Sequence, residues 1–156
     1  MRITEFEFTP DNHFVAMEYH LLILNRTFLI LITDHELIGI KVHGPIGVES
    51  SDALANLLPL TVDGDLQNPY SYISPKYIDR IKDIDLKSND FLKADISNFR
   101  INKSDIVDTS YDKNEKWGMG YYPHDGKVYV RTKDNKKREF IILGSQSGQE
   151  IKNRLS

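Results

Sequence analysis

Hydrophobic and polar positions alternate in short blocks between residues 21 and 44. The run Leu21–Leu24 ends at Asn25, and the run Phe28–Ile32 ends at Thr33. A membrane-spanning helix needs about 18 or more consecutive apolar residues, so neither run is long enough to cross a bilayer. Because many of these residues are β-branched or aromatic, which favours extended backbone, the pattern indicates strands.

We therefore predict a β-hairpin. Its two antiparallel strands are Phe28–Thr33 and Leu37–His43, and residues 34–36 connect them. In the second strand, Ile38, Ile40 and Val42 occupy alternate positions. Successive side chains of a strand point to opposite faces, so we expect these residues to face the core. The polar residues between them are expected to face water. A buried helix over Tyr19–Ile32 is the alternative interpretation.

Two further patterns flank this hairpin. Ile3, Phe6 and Phe8 could seat an edge strand within residues 1–9. The sequence "HGPIG" at 43–47 predicts the end of the hairpin, because glycine and proline interrupt regular structure.

Two helices are predicted between residues 50 and 88. The first, at 50–58, begins at Ser50 and Ser51, either of which can cap it, and Pro59 marks its end. The second, at 75–87, is the clearer one, since Ser74 is a natural N-cap and proline suits the first helical position. Its apolar residues recur at helical spacing on one face: Tyr77, Ile78, Ile81 and Ile84.

The last third of the chain alternates strand and turn patterns and ends in a helix. Strands are predicted at residues 99–101, 106–111, 116–122, 127–132 and 138–144. Turns are predicted at residues 102–104, 123–126 and 133–137. Ser145 or Ser147 can cap the terminal helix, with Ile151 and Leu155 on its inner face. Antiparallel strands with segregated helices indicate an α+β fold in a single domain over residues 1–156.

Composition narrows the chemistry that the chain can perform. The chain has 156 residues and no cysteine, which excludes disulfides, thiolate nucleophiles and cysteine-based zinc sites. The N-terminal residues lack a basic region that leads into an apolar run, so we expect no secretory signal and a cytoplasmic location. Residues 1–70 carry a formal charge of −7 and residues 71–156 carry +4, which together give the net charge of −3. Intermixing of these charges on the surface of one domain is the simplest interpretation.

Two pieces of the chain resemble a known family. They are "NFRINKSDIVDTSY" at 98–111 with "GKVYVRTKDNKKREFIILGSQSGQEIKNRLS" at 126–156, and the hairpin "NRTFLILITDHELIGIKV" at 25–42. Together they resemble a pleckstrin-homology-like domain of the bacterial and GRAM-like type. The resemblance implies a bent antiparallel sheet or partly open barrel of about seven strands, with a C-terminal capping helix. Residues 50–88 would form a helical insertion.

The resemblance also carries an expectation about function. Members of that family bind inositol lipids, peptides or protein surfaces, and few are enzymes. The lipid-binding members place basic residues in an early hairpin loop, whereas this chain has Asp34, His35 and Glu36 there. This departure argues against phosphoinositide binding. We therefore expect a non-enzymatic binding or adaptor domain that acts through protein–protein contact, with no catalytic residues, cofactor or metal.

Two segments supply the candidate binding residues. The aromatic segment contributes Trp117, Tyr121, Tyr122 and His124, which would suit a protein partner if they are exposed. The basic hairpin contributes Arg131, Lys133, Lys136, Lys137 and Arg138. Each segment also has a structural interpretation. Trp117, Met119 and Tyr121 would form a core stripe on one face of a strand, and the lysines would protect a sheet edge.

Other functions remain open. The basic hairpin could bind an anionic membrane or another anionic ligand. A small inhibitor or immunity-type protein is a further alternative, with the acidic first half facing a basic partner. A catalytic site at His124 and Asp125, and a metal at residues 34–36, lack the spacing to further groups that such sites need. We expect no nucleic-acid partner and no transmembrane segment.

Overall fold

The computed structural model describes residues 1–21, 24–47, 66–119 and 122–156. These residues form one antiparallel sheet of seven strands. The strands are β1 (His13–Leu21), β2 (Leu24–Ile32), β3 (Glu36–Gly47), β4 (Phe99–Asn102), β5 (Ile106–Asp112), β6 (His124–Thr132) and β7 (Lys137–Leu143). Their order across the sheet is β4-β3-β2-β1-β7-β6-β5, so β4 and β5 are the two edges.

Three α-helices accompany the sheet in the described part of the chain, which confirms the α+β class. They are α1 (Pro75–Ile81), α2 (Asn89–Ala94) and α3 (Gly148–Leu155), together with 3-10 helices at Ile3–Glu5, Pro69–Tyr72 and Lys103–Asp105. Ser147 caps α3, because its hydroxyl accepts a hydrogen bond from the Glu150 N–H. Ser88 caps α2 in the same way through the N–H of Phe91.

The predicted hairpin is confirmed by β2 and β3. Leu31 lies opposite Ile38, and Ile32 lies opposite Leu37. The hydroxyl of Thr33 accepts a hydrogen bond from the Glu36 N–H at 2.9 Å and closes the connection. The alternative of a buried helix in this stretch is wrong, because β1 and β2 occupy it as paired strands.

The sheet curls so strongly that strands far apart in its order meet on one face. The rings of Phe99 in β4 and Phe140 in β7 have centroids 6.1 Å apart, although three strands lie between β4 and β7. Neighbouring strands are about 4.8 Å apart, so a flat sheet would separate these rings by nearly 20 Å. The face that carries both rings is therefore the inner face of a half-barrel.

Apolar residues are buried on both faces of this half-barrel. The inner cluster joins the strands to α3 through Ile151 and Leu155, which confirms the predicted capping helix. The outer cluster joins the strands to Ile3, Tyr72, Ile81 and other residues of the flanking segments. The strands therefore have apolar side chains at consecutive positions, unlike a sheet with one face in water.

Burial on both faces corrects one detail of the hairpin prediction. Ile38, Ile40 and Val42 lie in the outer cluster as one set, but Leu37 is also fully buried, in the inner cluster. The polar residue Lys41 does not face open water, since its amine lies 3.3 Å from the carboxylate of Asp95.

Several element boundaries differ from the sequence predictions. Residues 3–5 form a 3-10 helix, so the predicted N-terminal edge strand is wrong. The segment 43–47 continues β3 instead of ending it. Strand β1 was not predicted, because its apolar residues Phe14–Met17 are consecutive and buried on both faces, so they show no alternation. Residues 123–126 are not a turn: β6 begins at His124 with a bulge, where Gly126 has a φ of +62°.

The second predicted helix was correct in position but too long. The predicted helix at 75–87 ends at Ile81, and the side chain of Ser74 makes no capping hydrogen bond. The short helix α2 was not predicted, because its 6 residues are too few to show a helical repeat of apolar positions. The predicted helix at 50–58 lies outside the described residues. Residues 66–88 pack on the outer face.

Gly39 leaves space for the ring of Phe99, which packs across the inner face of the curled sheet. It lies directly opposite Phe99 in the β3–β4 pair, and a methyl group at this position would overlap that ring. We predict that Gly39→Ala lowers the free energy of unfolding by about 1–3 kcal/mol, as overpacking does in other cores. Denaturant titration measures this change.

A smaller side chain at position 99 provides the matched control. In a Phe99→Leu background, the Gly39→Ala substitution should cost clearly less, because the overlapping ring atoms are gone. Equal costs in the two backgrounds would show that the ring does not set the requirement for glycine.

Candidate functional site

The candidate residues fall at two places in the fold. Trp117, Tyr122 and His124 lie on the connection between β5 and β6 and at its junction with β6. The basic residues lie along and around the β6–β7 hairpin: Arg131, Lys133, Lys136, Lys137 and Arg138. Tyr121 lies outside the described residues.

Residues Lys116–Met119 form a tight turn, which we call the tryptophan turn. The Trp117 side chain is 79% exposed, whereas Met119 is buried in the outer cluster. The predicted strand at 116–122 is therefore wrong, and so is the core stripe that it implied. In a turn, neighbouring residues need not share a face, and here Met119 anchors the segment while Trp117 points into solvent.

The tryptophan turn is fixed by contacts with β1, β6 and β7. The Lys116 amine lies 2.5 Å from the Glu139 carboxylate, and its backbone N–H donates to Nε2 of His124 at 2.9 Å. The carbonyl of Trp117 accepts a hydrogen bond from the hydroxyl of Tyr19. Gly118 has a φ of +88°, which L-residues rarely adopt and glycine adopts freely. Trp117 is thus an exposed side chain on a constrained backbone.

His124 and Tyr122 support this turn and are not open contact residues. Because Nε2 of His124 accepts a hydrogen bond from the Lys116 N–H, the ring proton lies on Nδ1, which donates to the Tyr122 carbonyl at 3.1 Å. The Tyr122 ring packs beside Tyr72, with centroids 5.8 Å apart, and burial raises the pKa of its hydroxyl. Asp125 accepts hydrogen bonds from the Tyr111 hydroxyl and from the N–H of Gly148. The side chains of His124 and Asp125 therefore bond to different structural partners and not to each other.

A groove of about 600 Å³ lies between β4 and the β6–β7 hairpin, and we call it the hairpin groove. It opens where the curled sheet does not close. Its apolar lining comes from Leu92, Phe99, Ile101 and Val130. Its charged lining comes from Arg100, Asp105, Lys133, Asp134, Lys136 and Arg138.

Arg138 is the innermost basic residue of the hairpin groove. Its Nη1 lies 2.6 Å from Oε1 of Glu18, and its guanidinium carbon lies 3.5 Å from the centroid of the Phe99 ring. The side chains of Arg138 and Glu18 are 31% and 11% exposed. Burial raises the pKa of Glu18 and lowers the pKa of Arg138, in each case against their mutual attraction. The pair thus places a partly desolvated cation at the inner end of the groove.

The other basic residues are more exposed and more weakly held. Lys133 lies 3.7 Å from Asp105, and Lys136 lies 3.6 Å from Asp134. The Lys137 amine lies 4.1 Å from the centroid of the Tyr129 ring, and Arg131 is exposed. Exposed ion pairs are worth about 0–1 kcal/mol, so a stronger anionic partner could replace the two aspartates.

Sequence reasoning missed the groove residues that do not belong to the hairpin. Phe99 and Arg100 come from β4, and Glu18, which pairs with the groove residue Arg138, comes from β1. Nothing in their local sequence joins these residues to residues 131–138. One signal was available: Glu18 follows Phe14 and Ala16 at alternate positions, so it faces the same core side as those apolar residues. A charged residue at an inward position needs a partner.

The described ranges contain no group of three or more histidine, aspartate or glutamate side chains placed to hold a metal ion. No helix within those ranges is long and apolar enough to cross a membrane. In comparisons with known proteins, no family model matches the chain, and no curated protein or solved structure is significantly similar to it. The pleckstrin-homology-like assignment therefore stays a prediction.

The Glu18–Arg138 pair gives a pH-dependent prediction. We expect Arg138→Met to lower the free energy of unfolding by about 3 kcal/mol near neutral pH, because it leaves a buried carboxylate without its counter-charge. Burial already raises the pKa of Glu18 above 4.5. A carboxyl with a raised pKa in the folded state favours folding fully below its unfolded pKa, and loses that contribution as the pH rises through its folded-state pKa.

The loss of unfolding free energy caused by Arg138→Met, which we call the deficit, should therefore shrink as the pH falls from about 7 towards about 4, because Glu18 becomes neutral. Denaturant titrations of the wild type and the variant across this range measure it. Adding Glu18→Gln should remove most of the pH dependence of the deficit. A deficit that stays constant with pH in the single variant would contradict the role of Glu18.

Proposed function

We propose that this chain is a non-enzymatic binding domain that acts through protein–protein contact, with the tryptophan turn as its main contact. One observation carries the proposal: Trp117 is 79% exposed on a turn that is fixed by Lys116, Gly118 and Met119. Single exposed apolar side chains are common on protein surfaces, so the type of residue and the fixed backbone of the turn support the proposal more than exposure itself does. Tryptophan is also enriched among the residues that dominate binding energies.

The constraint on the turn favours binding as well. Ordering a mobile side chain and backbone opposes association, so a turn that is already fixed loses less entropy when a partner docks. The Tyr19 hydroxyl and the Glu139 carboxylate hold the turn from outside its own segment. Trp117 can thus enter a pocket on a partner without a rearrangement of the backbone around it.

The proposal retains two earlier expectations. A curled antiparallel sheet with α3 packed on its inner face agrees with a pleckstrin-homology-like fold, although the described architecture alone does not identify a family. The lack of cysteine supports action in the cytoplasm.

Binding to an anionic membrane has weaker support. Lys133 and Lys136 each lie beside an aspartate of this chain, which lowers the net positive charge of the hairpin. Arg138 lies inside the groove beside Glu18, where a flat lipid surface does not reach it.

Replacing the exposed tryptophan tests the proposal directly. We expect Trp117→Ala to weaken binding of a partner about thirtyfold, which corresponds to the loss of about 2 kcal/mol that defines a dominant contact. The experiment captures proteins from host lysate with the tagged wild type and tagged variants, at low and at high salt. The affinity of the captured partner is then measured with purified components.

Ile96→Ala is the matched control, because Ile96 is 97% exposed and lies in the connection between α2 and β4. The control should bind as the wild type does. Both variants should unfold at the wild-type denaturant concentration, since neither side chain is buried. A partner that is retained equally by Trp117→Ala and the wild type would contradict the role of the tryptophan turn.

A further inference from the structure

Among the described strands, β4 pairs on one side only, and its other edge faces the hairpin groove. In the described part of the chain, β4 pairs with β3 and lies at the end of the sheet order. All of its residues line the groove: Phe99, Arg100, Ile101 and Asn102. Alternate residues of a strand point to opposite faces, so a groove that contacts both sets runs along the strand edge and not over one face.

This edge is held in place at both of its ends. The side-chain amide of Asn98 accepts a hydrogen bond from the Lys41 N–H at 2.9 Å and donates to the Phe91 carbonyl at 3.0 Å. At the other end, the N–H of Lys103 donates to the carbonyl of His35 at 2.8 Å. The strand is thus already extended and ordered, which lowers the entropic cost of adding another strand to it.

The side chains that line the groove carry an excess of positive charge, which favours an anionic ligand. The lining includes four basic side chains, Arg100, Lys133, Lys136 and Arg138, and two acidic ones, Asp105 and Asp134. The excess of positive charge stands out on a chain whose net charge is −3. The groove also has partly exposed apolar residues beside these charges, Leu92 and Ile101, so it suits a peptide that carries both acidic and apolar side chains.

We propose that the hairpin groove binds an extended acidic segment of another polypeptide, which pairs with the free edge of β4. Main-chain hydrogen bonds to β4 would supply affinity, and carboxylates facing Lys133, Lys136 and Arg138 would supply selectivity. The four residues of β4 span about 13 Å, which matches a short peptide segment. The inference goes beyond the proposed function, because it concerns a second surface and does not depend on Trp117.

A defined peptide tests this site with the full chain. The probe is a short, fluorescently labelled peptide in which glutamate alternates with valine, and its anisotropy is followed as the protein is added. We expect saturable binding that Lys133→Gln with Lys136→Gln weakens about tenfold. Lys76→Gln with Lys82→Gln on and beside α1 is the matched control, since it removes the same charge away from the groove and should change nothing.

Altered peptides separate strand pairing from charge attraction. A peptide with lysine in place of glutamate should not bind. Two glutamate peptides that are N-methylated at alternate residues, one in each register, keep their charges but lose N–H donors. The peptide whose methylated nitrogens face β4 should bind at least about tenfold more weakly.

Specific results would overturn the proposal. The first is that the lysine peptide binds as tightly as the glutamate peptide. The second is that Lys133→Gln with Lys136→Gln leaves binding unchanged. The third is that N-methylated peptides of both registers bind as tightly as the unmethylated peptide. Competition by free glutamate or by phosphatidylserine vesicles at equal carboxylate concentration would assign the site to a small anion or a membrane instead. Trp117→Ala should leave peptide binding unchanged, so failure of this proposal and failure of the proposed function can be told apart.

Discussion

The packing of Phe99 inside the curled sheet is the contact on which the rest of the structure depends. Its ring meets Phe28 of β2 and Phe140 of β7, and the guanidinium of Arg138 lies over its face. These contacts bring the β4 edge over the opposite side of the sheet and give the inner face its apolar partners. Without them, the inner cluster would lose the contact between β4 and β7, and part of its apolar surface would meet water.

The same contact creates the hairpin groove. The sheet curls far enough for Phe99 to reach Phe140, but β4 pairs only with β3 among the described strands, so an opening remains along its edge. Glu18 and Arg138 lie at the inner end of this opening. A buried ion pair adds little stability over apolar residues of similar size, because desolvation offsets the attraction. What the pair does provide is a fixed orientation for the guanidinium of Arg138 beside the groove.

The tryptophan turn shows how distant segments shape a short one. Tyr19 comes from β1, Glu139 from β7 and His124 from β6, and each contacts residues 116–119. The local sequence, rich in aromatic residues, has high strand propensity, and these contacts together with Gly118 override it. Exposure of Trp117 and burial of Met119 follow from where the anchors lie, not from the spacing of the two residues.

The sequence by itself determined the elements that depend on neighbouring residues. The hairpin of β2 and β3, the strands β4 to β7 apart from their ends, and the capped helix α3 all follow from alternation, turn residues and a serine cap. The α+β class follows from their order along the chain. Only the tertiary structure decided which charged residues meet, because Glu18 and Arg138 are far apart in sequence and join when the sheet curls. It also decided that β3 is buried on both faces and that Trp117 is exposed. Burial depends on the residues that pack against a strand or turn, and the local sequence does not show which residues those are.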